Sequence, residues 1–495
     1  MKTLPPVYRA ADLRQVEMRA MHVEREAHLM ARAGEAAAQY ALEIMAGSDR
    51  HVLVLAGPGN NGGDAFEVAT HLKRGFYKVD VVHPADPTKL RGDALAAWEK
   101  WRAADGRVLS AIPPDTRYDL IVDGLFGIGL SKPIDGVYAR LIAQANAMGK
   151  AILALDIPSG LHSDTGTATG PAIRATHTIT FIAHKPGLLT LDGPDHCGAL
   201  RLATLGLDAR DLHAPEGELL DATLLASLPL RRTHNFHKGN AGAVAIIGGT
   251  SGMVGATMLA ARAALKLGAG KVYMGLLTEH APCVDEAQPE LMLRKPDAAL
   301  AEESLTAIVA GPGMGTDSAA QRILSATLRS EKPLLLDADA LNLVAAYGVL
   351  QSAIATRRAP TLITPHPAEA ARLLEKQTAQ IQADRIAAAL ALARKFSAYV
   401  LLKGNGSICA SPEGRWWINC SGNPGMASAG MGDVLSGMVG GLLAQGAEPV
   451  HALLAAVHLH GAAADAAVAE GKGPIGLTAG ELLDPARALL NRALT

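Results

Sequence analysis

Residues 422–437 read GNPGMASAGMGDVLSG, a run of small residues around one carboxylate, Asp433, that leads into an apolar, helix-like stretch. Glycine lets backbone amides approach an anion closely, and a helix N-terminus adds a dipole that favours negative charge. A carboxylate at the edge of such a loop can take a proton from a substrate hydroxyl as a phosphoryl group arrives. The stretch therefore predicts a protein that handles a nucleotide together with a hydroxylated small molecule.

The composition narrows the class of protein. A length of 495 residues is enough for two or three domains, and 49% apolar with 19% charged residues is ordinary for a globular enzyme. A formal net charge of −2 gives no electrostatic reason to expect nucleic acid. No window approaches twenty uninterrupted apolar residues, and residues 1–8 have no basic flank followed by an apolar block. We expect a cytoplasmic protein without a membrane partner.

The four cysteines are scattered without CxxC spacing, so neither a zinc site nor a disulfide framework is predicted. Short β-branched and leucine-rich runs alternate with alanine-rich stretches along the whole chain, which predicts an α/β fold with mainly parallel sheets. The predicted strands are 51–56, 79–83, 120–123, 151–155 and 177–181, then 243–247, 272–275, 307–310, 334–336, 361–363 and 399–402. A mixed polar and proline-containing segment separates the series, and we place the boundary near residues 215–228, with domains 1–220 and 226–495.

In the first half, the segment VLAGPGNNGGD (residues 54–64) follows a predicted strand and opens a helix. Backbone amides at such a turn point towards an anion. Glycine-rich turns also occur for packing alone, and that interpretation stays open for the glycines. The Asn-Asn-Gly-Gly-Asp core adds side-chain oxygens, and these favour a binding site.

Two further strand ends converge on the same sheet edge, DGLFGIGL (residues 123–130) and LDIPSGL (residues 155–161). Asn61, Asp123 and Ser159 offer hard oxygen ligands, which suit an alkali or alkaline-earth cation and not zinc. Asp156 is a candidate general acid or base. The alternative for Asp123 and Asp156 is that they only cap helices.

The motifs GPGNNGGD, DGLFGIGL, LDIPSGLHSDTG and FIAHKPGL (residues 181–188) together resemble the YjeF N-terminal domain, the NAD(P)H-hydrate epimerase family. The resemblance implies a Rossmann-like parallel-sheet domain that interconverts the C6 epimers of hydrated NADH or NADPH around potassium. It also implies that Asn61, Asp123 and Ser159 bind K⁺ and that Asp156 contacts the hydrated ring. The residues that it assigns to dinucleotide binding are Asn60, Asn61, Gly62, Gly63, Asp64, Gly127, Ile128, Gly129, Leu130, Ser131, Lys132 and Pro133.

In the second half, the motifs GPGMG (311–315), DADALN (337–342), TPHPAE (364–369) and KGNGS (403–407) each follow or end a predicted strand, so they gather at one sheet edge. Taken singly, GPGMG is compatible with a simple turn, His366 with a satisfied core histidine, and DADALN with a strand end that enters a helix. Their order, with KGNGS before the GMGD loop, resembles the ribokinase-like fold. The finer match, through GPGMG, DADALN, TPHPAE and GNPGMASAGMGDVLSG, is to the NAD(P)H-hydrate dehydratase family.

This second resemblance implies that a nucleotide phosphorylates the C6 hydroxyl of the hydrated ring so that it can leave. Asp433 would remove the hydroxyl proton, and the amides of residues 430–432 would stabilise the transferred group. Lys403, Gly404, Asn405, Gly406, Ser407 and Gly432 are implied nucleotide-binding residues, and Ala256, Gly313, His366 and Asp433 are implied to face the dinucleotide. Relatives in bacteria use ADP with Mg²⁺ and leave AMP and phosphate, and we expect ADP here, although the residues alone do not distinguish it from ATP.

Two alternatives remain at this stage. The second half shares its loops with hydroxymethylpyrimidine and sugar kinases, so a small-molecule kinase is the competing enzyme class. The first half resembles domains that serve elsewhere as protein-interaction modules, which would not need the ring of oxygens formed by Asn61, Asp123 and Asp156. Relatives are often oligomeric, and the resemblance therefore implies a homo-oligomer.

Overall fold

The computed structural model describes residues 4–23, 28–46, 51–130, 132–168 and 170–494. The chain divides into two compact units. The first comprises Pro6–Gly217, and the second comprises the chain from Glu218 onwards together with the N-terminal segment that ends at Pro5.

The first unit is an α/β domain, as expected. Its elements in chain order are β1 (Pro6–Val7), α1 (Ala10–Val23), α2 (Leu29–Ile44), β2 (His51–Ala56), α3 (Asn60–Arg74), β3 (Lys78–Val82), a 3-10 turn (Pro87–Lys89), α4 (Gly92–Ala103), β4 (Val108–Leu109), β5 (Leu120–Gly124), α5 (Gly136–Ala147), β6 (Ala151–Leu155), β7 (His177–Phe181), α6 (Pro186–Leu189), α7 (Gly193–Cys197), β8 (Ala199–Ala203) and α8 (Ala209–Leu212).

A seven-stranded sheet of order β4-β3-β2-β5-β6-β7-β8 forms the centre of this unit, and its neighbouring strands pair in parallel. The five strands predicted in this half are confirmed to within a residue at either end. Strand order reverses between β2 and β5, and ligands of open parallel sheets bind at such a reversal, beyond the carboxyl ends of the strands. The GPGNNGGD loop after β2 and the DGLFGIGL loop after β5 flank this position.

The second unit is also α/β. Its elements are β9 (Gly217–Leu219), which starts at the last residue of the first unit, α9 (Thr223–Ala226), β10 (Ala243–Gly248), α10 (Val254–Lys266), β11 (Lys271–Leu276), β12 (Met292–Arg294), α11 (Pro296–Leu300), β13 (Ala307–Ala310), α12 (Ser318–Leu328), β14 (Leu334–Leu336), α13 (Ala338–Ala346), α14 (Gly348–Ala355), β15 (Thr361–Ile363), α15 (Pro367–Leu374), α16 (Thr378–Ala383), α17 (Arg385–Phe396), β16 (Tyr399–Leu402), β17 (Ser407–Ala410), β18 (Trp416–Asn419), a 3-10 turn (Pro424–Met426), α18 (Met431–Ala444), α19 (Pro449–Ala469), a 3-10 turn (Ala479–Leu482) and α20 (Leu483–Leu494).

The strands of this unit are ordered β9-β18-β17-β16-β15-β14-β13-β10-β11-β12. Those from β16 through β10 to β12 pair in parallel, whereas β16, β17 and β18 are antiparallel. Strand β10 is buried along its whole length, as expected for a parallel strand covered on both faces. The six strands predicted here are confirmed, and the antiparallel pair β17–β18 was not predicted.

Helices α18 and α19 are the apolar core helices of the second unit. By length and hydropathy α19 would pass a test for a membrane span, but 67% of the tested window is buried within the protein, as in the core helix of a folded domain. Helix α18 follows the glycine-rich loop directly, and its first turn carries Asp433. The carboxyl ends of the parallel strands and the start of α18 together define the candidate site of this unit.

Candidate active sites

The first candidate site begins at the turn between β2 and α3. A Cβ atom on Gly57 would lie 1.7 Å from the backbone oxygen of Leu125, and one on Gly62 would lie 1.9 Å from the oxygen of Gly57. Both glycines are therefore required for close backbone packing, and this requirement is compatible with an anion-binding role as well. Asn60 is exposed at the start of the helix, and Gly63 is buried against Met30.

Asn61 differs from its neighbours because its side chain is buried but makes no hydrogen bond to a described residue. It is 7% exposed, and neither its Oδ1 nor its Nδ2 atom has a hydrogen-bond partner among the described residues. Burying an amide without partners costs free energy that a ligand can recover. A Cβ atom on Gly127 would lie 3.4 Å from Asn61 Cγ and 3.4 Å from Asp156 Oδ2, so this glycine keeps open the space between the two side chains.

Asp123 and Ser159 form a buried, hydrogen-bonded pair of oxygen-bearing side chains. The Asp123 carboxylate accepts hydrogen bonds from Ser159 Oγ at 2.7 Å, from the Ser159 amide at 2.8 Å and from the Leu125 amide at 3.2 Å. Ser159 Oγ in turn accepts a hydrogen bond from the amide of Phe126 at 2.9 Å. Burial raises the pKa of Asp123 to about 6, and the hydrogen bonds from Ser159 oppose that rise. Neither residue acts as a simple helix cap.

Asp156 forms an ion pair with Lys185, a residue that the sequence analysis quoted in a motif but assigned no role. Lys185 is fully buried, and its ammonium donates hydrogen bonds to Asp156, to Thr180 Oγ1 at 2.8 Å and to the backbone oxygen of Phe181 at 3.0 Å. Asp156 itself has a φ of 66°. A non-glycine residue in this strained region is typical of functional sites.

Further acidic groups surround this pair. Burial raises the pKa of Asp64 well above its usual range, and the charges of Asp156 and Glu17 add to the rise. Glu17 on α1 has its pKa raised by burial and then by Asp156, while Lys185 opposes the rise. Glu17 was not predicted, because nothing in the sequence of α1 distinguishes it from a solvent-facing helix residue.

The remaining predicted residues of the 127–133 segment are more peripheral. Gly129 lies near Arg14 of α1, since a Cβ atom there would be 3.9 Å from the guanidinium. Ile128 and Leu130 are partly buried against the hydrophobic cores, and Lys132 and Pro133 are exposed. Ser131 lies outside the described residues.

The second candidate site is centred on the start of α18. Gly430 is the N-cap residue with a φ of 87°, and Asp433 lies in the first turn of the helix. A Cβ atom on Gly432 would be 3.4 Å from Lys403 Nζ and 3.6 Å from Asp337 Oδ2. The predicted anion loop therefore lies directly beside the half-buried Lys403 and the buried Asp337.

Lys403 links the strand ends of this site. Its Nζ atom is 2.8 Å from Asp337 Oδ1 and 4.0 Å from Glu369 Oε2. Asp337 is 1% exposed, and its Oδ2 atom accepts a hydrogen bond from Ser436 Oγ of α18 at 2.7 Å. Burial lowers the pKa of Lys403, but the charges of Asp337 and Glu369 outweigh that effect and the net pKa is raised. Asp337 caps no helix with its side chain, so DADALN is more than a strand end.

The pKa of Asp433 is in the range expected of a general base that works near neutral pH. Burial raises its pKa to about 6, the charge of Asp337 adds to the rise, and Lys403 opposes it. A carboxylate with such a pKa is ionised at pH 7 and basic enough to take a hydroxyl proton during transfer.

Three other predicted residues line the same edge. His366 is the N-cap of α15, where its Nδ1 atom accepts hydrogen bonds from the amides of Ala368 and Glu369 at 3.1 and 3.3 Å. Its side chain is 46% exposed, so it is not a core histidine. Gly313 has a φ of 60°, and a Cβ atom there would lie 3.3 Å from the Cβ of Ala256. The structure thus brings Ala256 and Gly313 together.

The predicted nucleotide loop follows β16. Lys403 lies at its start, Gly404 has a φ of 146°, and Gly406 has a φ of 61°. The hydroxyl of Ser407, the first residue of β17, donates a hydrogen bond to the oxygen of Gly404 at 2.9 Å and closes the loop. Asn405 lies within this closed turn.

Comparison with known proteins finds relatives for both halves of the chain. Residues 26–187 match the family described as the YjeF-related protein N-terminus, and residues 244–485 match the NAD(P)H-hydrate dehydratase family. The chain is 38% identical to the bifunctional NAD(P)H-hydrate repair enzyme Nnr of Coxiella burnetii over 493 residues, which covers 98% of this chain and 99% of that protein. It is 39% identical to the enzyme of the same name from Escherichia coli K12, with 99% and 95% covered.

A solved structure supports the fold of the second unit. The ADP/ATP-dependent NAD(P)H-hydrate dehydratase of Bacillus subtilis, co-crystallised with ATP and Mg²⁺, superposes with a TM-score of 0.50 at 30% identity, covering 55% of this chain and 97% of that one. The second unit is ribokinase-like, as predicted. On the identity and coverage of these relatives, the chain belongs to the family of bifunctional NAD(P)H-hydrate repair enzymes, which combine an NAD(P)H-hydrate epimerase with an NAD(P)H-hydrate dehydratase.

Proposed function

We propose that each activity of this bifunctional enzyme resides in one part of the chain. Residues 1–220 interconvert R and S hydrates of NADH and NADPH, and residues 226–495 dehydrate the S form with ADP as phosphoryl donor. The observation that carries the proposal is the position of Asp433, at the start of α18 beside the Lys403–Asp337 pair. A general base, an anion-binding helix N-terminus and a cation are the groups that phosphoryl transfer to a hydroxyl requires.

In the epimerase half, the segments from Asn60 to Asp64 and from Gly127 to Pro133 hold the dinucleotide. Asn61, Asp123 and Ser159 bind K⁺, and the unpartnered Oδ1 of Asn61 together with the oxygen-rich Asp123–Ser159 pair fits a hard cation. When bound, K⁺ would supply positive charge near the pyrophosphate and the ring hydroxyl.

Asp156 is the acid–base group of epimerisation. It takes the proton of the C6 hydroxyl, the C6–N1 bond breaks to leave an aldehyde at C6, and N1 receives the proton. Rotation about the C5–C6 bond followed by the reverse steps closes the ring with the opposite configuration. Lys185 fixes the position of the Asp156 carboxylate, because its buried ammonium is also held by Thr180 and by the backbone oxygen of Phe181.

In the dehydratase half, Asp433 removes the proton of the C6 hydroxyl while this oxygen attacks the β-phosphorus of ADP and AMP leaves. The amides at Gly430–Gly432 stabilise the charge on the transferred group. Phosphate then leaves C6 as C5 loses a proton, which restores the reduced nicotinamide ring. Phosphorylation is needed because hydroxide itself is a poor leaving group.

Lys403, Gly404, Asn405, Gly406, Ser407 and Gly432 bind the nucleotide, with Mg²⁺ accompanying its phosphates, and Ala256, Gly313, His366 and Asp433 face the hydrated dinucleotide. The crystals of the Bacillus subtilis relative with ATP and Mg²⁺ support a magnesium nucleotide at this site. We further propose that the protein acts in the cytoplasm as a homo-oligomer.

The test is recovery of the reduced-nicotinamide absorbance near 340 nm from a mixture of R and S NADH hydrate, with K⁺, Mg²⁺ and either ADP or ATP. Complete recovery with ADP and slower recovery with ATP is the expected result. Recovery that stops at the S fraction would refute the epimerase assignment. A stable phosphorylated product without recovery would instead identify a small-molecule kinase.

A further inference from the structure

Arg385, the first residue of α17, is a buried cation that no step above uses. Its side chain is 2% exposed. Its Nη1 atom donates to Gln382 Oε1 at 2.8 Å, and its Nη2 atom donates to the backbone oxygens of Leu402 and Lys403, each at 3.3 Å. Its Nε atom is buried and has no hydrogen-bond partner in the described part of the chain.

The guanidinium lies against the nucleotide loop. A Cβ atom on Gly404 would be 2.7 Å from Nη1, 2.8 Å from Nη2 and 3.0 Å from Cζ of Arg385. Any other residue at 404 would displace the arginine, so glycine allows the backbone of the loop to rest on the cation. Only the backbone of the loop therefore lies between the Arg385 guanidinium and a ligand bound to residues 403–407.

Arg385 also lacks a counter-charge among the residues that the structure describes. Burial lowers its pKa to about 10, and no charge of a described carboxylate acts to raise it. The adjacent Asp384 is used otherwise, because its carboxylate accepts the amide hydrogen of Ala387 as the N-cap of α17. Buried cations normally have an anionic partner, since an unpaired charge in a low-dielectric interior is costly.

We propose that the missing counter-charge is the diphosphate of the nucleotide, so that Arg385 strengthens ADP binding through the loop without touching the reacting atoms. This proposal rests on the nucleotide site proposed above at Lys403–Ser407. A bound diphosphate would offset the cost of the buried cation, and the attraction is strong because little water separates the two charges. Arg385 is thus a positioning residue that is specific for the charge of the donor.

Arg357 provides a matched control. It too is an arginine that donates to backbone oxygens, those of Leu328, Ser330 and Lys332 at 2.7, 2.7 and 2.8 Å, and burial lowers its pKa. Its Nε atom, however, donates to Thr361 Oγ1 at 3.0 Å, so all of its donor groups have partners. Thr361 begins β15, at the opposite end of that strand from the candidate site.

The experiment compares Arg385→Met, Arg385→Lys and Arg357→Met with the unaltered full chain. The dissociation constant of ADP is measured by calorimetry, and the inhibition constant of adenosine is measured in the dehydratase assay. Arg385→Met is expected to weaken ADP binding at least about tenfold and to leave adenosine inhibition unchanged, because adenosine carries no phosphate. Arg385→Lys should recover part of the loss, and Arg357→Met should bind ADP normally.

The melting temperature and circular dichroism of each variant check that the second unit is folded, because epimerase activity reports only on the first. Equal weakening of ADP and adenosine would show that Arg385 only supports the loop structure and would overturn the proposal. Unchanged ADP affinity in Arg385→Met would overturn it as well. Failure of the unaltered protein to bind ADP would refute the nucleotide site itself, and with it this proposal.

Discussion

The pH dependence of dehydration tests whether Asp433 is the general base. With a pKa of about 6, about nine-tenths of the Asp433 carboxyl groups are ionised at pH 7 and about one-tenth at pH 5. Because only the ionised form can accept the hydroxyl proton, kcat for the S hydrate should fall about tenfold for each pH unit below 6. An ordinary exposed aspartate would keep full activity down to about pH 5.

Two substitutions should shift the fall of kcat at acidic pH, here called the acidic limb of the pH profile, in opposite directions. Asp337→Asn removes a negative charge that disfavours ionisation of Asp433, so the limb should shift to lower pH. Burial is the largest cause of the rise from 3.8 to about 6, and the shift should therefore not exceed about one pH unit. Lys403→Met removes a stabilising cation, so the limb should shift to higher pH.

The assay is the absorbance near 340 nm from purified S hydrate at saturating ADP and Mg²⁺, between pH 4.5 and 8. The phosphate groups of ADP also titrate near pH 6, but they do so equally with all three proteins, so the difference between limbs reports on the enzyme. The melting temperature of each variant checks that the second unit, which carries both substitutions, is folded. Superimposable limbs in the three proteins, or shifts of the reversed sign, would refute Asp433 as the group that titrates.

Three further outcomes are expected. Asp156→Asn should abolish epimerisation and leave dehydration of the S hydrate intact, and Asp433→Asn should do the reverse; equal loss of both activities in either variant would contradict the division of labour. Asn61→Leu should remove the rise in melting temperature that K⁺ gives over Na⁺ in the unaltered protein, because the unpartnered amide oxygen is lost; a retained rise would exclude Asn61 as a ligand. Gly57→Ala should lower the free energy of unfolding by about 2 kcal/mol or more, since its Cβ would lie 1.7 Å from a backbone oxygen, whereas Gly59→Ala, with nothing within 4 Å, should be neutral in chemical denaturation.

The sequence was sufficient for eleven of the parallel strands and the edges at which they end, but not for the parallel edge strands β4, β8 and β12. Runs such as AVAIIG at 243–248 are apolar on both faces, and a glycine-rich or polar turn follows each one, so strand and site position are encoded locally. The antiparallel strands Ser407–Ala410 and Trp416–Asn419 were not predicted, because four-residue runs next to a glycine-rich loop carry little periodicity.

The ion-pair partners of the site residues could not be predicted from the sequence. Lys185 lies 29 residues from Asp156, and Lys403 lies 66 residues from Asp337. Each motif was visible on its own, but a lysine after a strand is usually a solvated residue. Asn61 was predicted as a ligand, yet only the fold shows that its amide is buried without a partner.

Strand order explains why those lysines lie beside aspartates. Asp156 follows β6 and Lys185 follows β7 closely, and these strands are neighbours in the sheet, so their carboxyl ends bring the two side chains together. Asp337 follows β14 and Lys403 follows β16, which are separated only by β15. A lysine that is largely removed from water at such a strand end needs a hydrogen-bond acceptor within reach. In both units the carboxylate at a nearby strand end is that acceptor. Arg385, against the loop after β16, has no such carboxylate among the described residues, and in our proposal the diphosphate of the nucleotide supplies the negative charge at this edge of the sheet.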